Sequence, residues 1–111
     1  MLIVLLPNAS SAEILLNNLS EADFDLNTVS VIMKDVNMRN KIAKDVGPFK
    51  GVHPDKLAEK LAKAGLTEAK VKLCTEALTE SKALVAMDVS ASLLAAAKEM
   101  FTDQSAEIVK E

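Results

Sequence analysis

Two uninterrupted apolar runs, Leu2-Ile3-Val4-Leu5-Leu6 and Ala83-Leu84-Val85-Ala86-Met87, constrain this chain more than any other feature. Each is too short for a helix. Neither alternates as a strand with one wet face does, so both read as strands covered on both sides and placed mid-sheet. Leaving one side of such strands in water costs about 25 cal/mol per Å² of apolar surface. Something must therefore cover each face, either helices of this chain or a second copy in a homodimer.

Between and after these runs the pattern supplies two weaker strands. Thr28 to Met33 alternates in part, with Val29, Val31 and Met33 on one side, and suits an edge. Ala106 to Val109 is short, with charged neighbours that also suit an edge. Ser10 and Glu13 have the spacing of a capping box and predict a helix whose stripe is Ala12, Leu15, Leu16, Leu19 and Ala22. Asp23 to Asn27 reads as the loop that ends it. Lys34 to Val46 carries Met38, Ile42 and Val46 four apart. Pro54 and Asp55 open a helix running to Ala64 with Leu57, Leu61, Ala58 and Ala62 inward, and Gly65 is its left-handed stop. Thr67 caps the next helix, to Glu80, whose stripe is Val71, Cys74 and Leu78, flanked by Leu73 and Ala77. Ser90 or Ser92 opens a last helix with Leu93, Leu94, Ala97 and Phe101 inward.

This order reads as one domain of α+β class over residues 1–111: a ferredoxin-like pair of split βαβ units, strand order 4-1-3-2, with a helical insertion between strands two and three. A small parallel α/β sheet of order 2-1-3-4 has the same inner strands and is the alternative. At the centre of the chain, Asp45 to Asp55 holds two of the three glycines, two of the three prolines and the single histidine. A shaped turn is expected there.

The net charge of −3 speaks against a protein that coats nucleic acid. Charge is nonetheless uneven, because residues 34–63 hold eight Lys or Arg against four acids. Within that segment Arg39, Lys41, Lys44, Lys50 and His53 lie within fifteen positions and can converge on a phosphate or carboxylate if the turn folds back. These five are the candidate ligand-binding residues; a solvated Lys-rich surface is the plain alternative. The inner strands lack the aromatics on which sheets of this kind stack RNA, which disfavours nucleic acid as a partner.

No catalytic pattern emerges. Cys74 falls on an apolar stripe, as buried free cysteines do. His53 is placed to cap the helix that follows it. Asp23 and Asp25 occupy a turn, and Glu76 and Glu80 share a solvated helix face. One His and one Cys make a poor zinc set, and no metal or other cofactor is expected. A single cysteine fits a reducing cytoplasm, and the apolar opening stops too early for a signal sequence or a membrane span. The expected function is a small non-enzymatic interaction or regulatory domain, acting on a protein partner or on itself. An anionic-ligand or nucleic-acid-binding module using residues 39–53 is the alternative.

Gly65-Leu66-Thr67-Glu68, the helix Ala69 to Glu80 and the strand Leu84-Val85-Ala86-Met87 together resemble the small general-stress-protein domain of bacteria. That family has a Gly-Ile-Pro-Glu start, a charged helix and an apolar Leu-Val strand. Thr67 stands where it usually has Pro, Leu73 and Cys74 where it has a Tyr pair, and Ser81 and Lys82 where it has Gly-Gly. Its glycine-rich middle is replaced here by the Lys-rich segment. The resemblance covers about a fifth of the chain and implies a βαβ-repeat fold, a stress-related role and no catalytic residues.

Overall fold

The computed structural model describes residues 1–111. Four strands, β1 (Leu2–Leu6), β2 (Val29–Ile32), β3 (Ala83–Met87) and β4 (Glu107–Lys110), form one sheet of order β2-β3-β1-β4. Read from the other edge this is 4-1-3-2, with the two apolar runs inside. All three pairings are antiparallel, Val4 opposite Val85, Val4 opposite Ile108 and Val31 opposite Val85, which excludes the parallel alternative. On the β4 edge the register slips by one residue between Ile3 and Val4. Such a bulge twists an edge away from further pairing. Lys70 Nζ also reaches it and donates to the Val109 carbonyl at 2.9 Å.

Alternation along the strands sorts the core into two layers. Leu2, Val4, Leu6, Val29, Val31, Val85 and Met87 face helices α1 (Ala9–Glu21) and α5 (Ala91–Asp103), which contribute Leu15, Leu19, Ala97 and Phe101. Ile3, Leu5, Ile32, Leu84 and Ala86 face the opposite way, against α3 (Leu57–Lys63) and α4 (Glu68–Thr79) through Leu57, Leu61, Cys74 and Leu78. The helices between β2 and β3 thus form the cover that the second face requires. The turn before them adds Phe49, fully buried in that same layer.

Several local details differ from expectation. Helix α1 is capped by Asn8, whose side chain accepts from the Ser11 N–H at 2.8 Å; Ser10 lies inside the helix. An Asx cap directly after Pro7 outcompetes the hydroxyl two residues on. Helix α2 (Val36–Ile42), capped by Asp35, stops at Ile42 where Val46 was expected. Ala43 is extended, and the Val46 carbonyl is taken by the Ser30 hydroxyl at 2.6 Å. Pro54–Lys56 is a 3₁₀ turn preceding α3. Ala22, Ala58, Ala62 and Leu93 are exposed rather than inward, because each lies at the margin of its helix's buried stripe.

Other signals land as read. Thr67 Oγ1 caps α4 by accepting from the Lys70 N–H at 3.3 Å. Gly65, at φ +92°, closes α3, with the Leu66 N–H bonded to the Leu61 carbonyl at 3.2 Å. No helix is long and apolar enough to cross a membrane.

Candidate functional site

The central turn is built on Ser30. This residue is on the edge strand β2, buried, with its side chain on the second face of the sheet. Its Oγ accepts from the Phe49 N–H at 2.8 Å and donates to the Val46 carbonyl at 2.6 Å. Gly47 lies so close that a Cβ there would fall 2.6 Å from Ser30 Oγ and 2.8 Å from Ser30 N, and its φ of +87° disfavours any side chain. Only glycine allows the turn to press against the strand.

Asp45 closes the same turn. Its Oδ1 accepts from the Gly51 N–H at 2.9 Å and stands 3.7 Å from Nη1 of Arg39 in the last turn of α2. His53 Nδ1 accepts from the Asp55 N–H at 3.3 Å, capping the 3₁₀ turn as expected, and lies 3.5 Å from Asp55 Oδ2.

These groups border a cleft of about 180 Å³. Val31, Ile32 and Met33 form one wall, Val36 and Arg39 the next, and Asp45, Gly51, Val52, His53 and Pro54 the last. The Arg39 side chain is only 17% exposed. It forms an ion pair with Asp45 that is too long for a hydrogen bond, and the side chain lines the cleft.

Of the five expected ligand-binding residues, the fold brings Arg39 and His53 to this cleft. Lys44 lines a different one, of about 370 Å³, with Leu16, Leu26, Val29 and Ile42. Lys41 and Lys50 are exposed on the surrounding surface. Sequence reasoning missed Asp45 as a member of the site. An acid opening a Gly/Pro turn commonly binds a backbone N–H further along, and that signal was present.

Cys74 is buried in the second core layer. Burial, and secondarily the Glu107 carboxylate, push its thiol up to about 11. At neutral pH it is a protonated, inaccessible sulfur, without the thiolate that nucleophilic or redox chemistry uses.

In comparisons with known proteins, no family model matches the chain, and no curated protein or solved structure matches it.

Proposed function

We propose that this chain is a small non-enzymatic regulatory domain that works by binding an anionic ligand in the cleft between β2, α2 and the 45–54 turn. The observation that carries the proposal is Arg39, whose side chain is only 17% exposed and lines the cleft, in an ion pair with Asp45 that at 3.7 Å is too long to take up its hydrogen-bond donors. Guanidinium is the group best shaped for carboxylate or phosphate. His53 stands across the cleft, and Lys41, Lys44 and Lys50 add a local positive field that draws anions in.

The non-enzymatic character is supported by how the reactive groups are spent. Cys74 is packed, Ser30 holds the turn, and Asp25 accepts from the Asn27 N–H at 2.9 Å to cap a 3₁₀ turn. We take the architecture as ferredoxin-like with a helical insertion. The order 4-1-3-2 and the placement of α1 and α5 on one face support that reading. Cover of the other face by α3 and α4 favours a monomer over a homodimer. The free thiol suits a reducing cytoplasm, and the resemblance over residues 65–87 suggests a stress-related setting.

The test is titration with inorganic phosphate and with acetate while amide shifts are followed. Shifts clustered on residues 39–54 and weakened by salt are expected. No shifts at low salt would remove the reading.

A protein partner is the second reading. It is favoured by a groove between α1 and α2 where Ile14 is 48% and Met38 38% exposed beside Ile42. Here Ile14→Glu would abolish a cellular phenotype that Arg39→Gln leaves intact.

A further inference from the structure

The cleft is not a simple anion hole, because it holds both signs of charge. Beside Arg39 stands the Asp45 carboxylate, half exposed, with its Oδ1 held by the Gly51 N–H. A plain anion approaching Arg39 meets that negative charge at close range and is weakened by it. The two charged groups stand 3.7 Å apart, the arrangement that a ligand with adjacent opposite charges complements. Its carboxylate would lie against the guanidinium and its ammonium against Asp45. Half of the lining around the pair is aliphatic: Val31, Ile32 and Met33 are buried in the sheet wall, and Val36 and Val52 are the part-exposed members. At about 180 Å³ the cavity is well below the roughly 300–1,000 Å³ of drug-sized pockets, which excludes a nucleotide enclosed there.

We propose that the cleft binds a small zwitterion of the α-amino acid class with an aliphatic side chain. Its carboxylate sits on Arg39, its ammonium on Asp45, and its side chain against Val36 and Val52. This inference rests on the binding reading above for the cleft and the Arg39–carboxylate contact, and replaces a plain anion there by a carboxylate that carries an adjacent ammonium. His53, which also lines the cleft, has its Nδ1 occupied as acceptor of the Asp55 N–H and leaves its Nε2–H as a second donor for the carboxylate.

Four probes separate the possibilities on the intact chain, followed by amide shifts: L-valine, isovalerate (which lacks the ammonium), L-valinamide (which lacks the carboxylate) and inorganic phosphate. Valine is expected to shift residues 39–54 and to bind about tenfold or more tighter than either analogue, the worth of one charge-assisted contact. Asp45→Asn keeps an Oδ1 acceptor for the Gly51 N–H, so the turn stays closed. It should reduce valine to the level of isovalerate without weakening isovalerate. Arg39→Gln should abolish binding of both; should that variant unfold, Arg39→Lys keeps the charge, loses the planar fork and should weaken both.

Isovalerate or phosphate binding as tightly as valine would overturn the zwitterion inference while leaving anion binding standing. Valine binding that is indifferent to Asp45→Asn would overturn it as well. No shift with any of the four probes would remove both.

Discussion

Ser30 Oγ and the Phe49 N–H, nineteen residues apart in the chain, are joined by a buried hydrogen bond of 2.8 Å. That bond ties an edge strand to the turn that carries Asp45 and His53, and it seats the Phe49 ring in the second core layer.

Ser30→Ala should therefore cost more than a surface serine would. It strands the Phe49 N–H and the Val46 carbonyl at once, and each group left without a partner costs about 1–3 kcal/mol when buried. The urea midpoint should fall accordingly. Amide shifts should change over residues 45–54 more than in α5. An unchanged midpoint would mean that water replaces the hydroxyl and that the turn is not held by it.

Gly47→Ala attacks the same contact from the other side. The added Cβ meets backbone atoms of β2 under 3 Å, Ser30 N at 2.8 Å, and the residue is held at φ +87°. Backbone strain of this kind costs about 1–3 kcal/mol before any displacement of the turn. By contrast Gly51, with φ +77° but open space where a Cβ would go, should lose only the conformational part, about 1–2 kcal/mol. Thermal unfolding of the two variants should rank them in that order.

Phe49→Ala should cost about 3–5 kcal/mol, the range for truncating a buried aromatic, because the ring is fully buried beneath the lid of α3 and α4. Lys60, whose Nζ lies 5.8 Å from the ring centroid, loses a cation–π contact as well. Light scattering on the wild type at micromolar concentration should report a monomer. A stable dimer would show that this lid does not suffice to cover the sheet.

Cys74 should resist thiol reagents in the folded protein at pH 8 and react once urea exposes it. Its pKa is raised from 9.0 to about 11 when folded, so the pH dependence has a definite sign. Well below pH 9 the thiol is protonated in both states and contributes no slope. Between about 9 and 11 the unfolded chain releases its proton while the folded one retains it, and stability falls with rising pH. The loss reaches about 2 kcal/mol by the upper end. Cys74→Ala should flatten that part of the profile, and an unaltered profile would show that other groups produce it.

The sheet was the most legible part of the fold. Two-sided apolar runs placed β1 and β3 inside, and flanking charge placed β4 at an edge. Those are signals of composition, read within a few residues. Local caps were legible for the same reason at Thr67, His53 and Gly65. Ser30 was not. A serine in a strand has no sequence mark that distinguishes a solvent-facing hydroxyl from one bonded to residues sixteen and nineteen positions away. The end of α2 depended on the same long-range bond, so periodicity carried the helix on to Val46. At the site, positive charge clustered in sequence but not in space: Arg39 and His53 meet at the cleft while Lys44 is turned to another. Helical rotation and the break at Ala43 separate residues that are neighbours in the chain.

The strand order also has a consequence for how the molecule comes into being. Each of the three strand pairings joins β1 or β2 to β3 or β4, and none joins two strands from the same half of the chain. On a ribosome, no hydrogen-bonded sheet can form until Ala83 and the residues after it have been made. Until then β1 and β2 have unpaired edges and apolar faces. Closing such distant contacts is slow compared with forming helices. The nascent chain thus passes through an interval in which helices α1 to α4 exist only as far as their own propensities allow. In that interval Leu2–Leu6, five apolar residues that the finished sheet buries, has no strand partner to pair with.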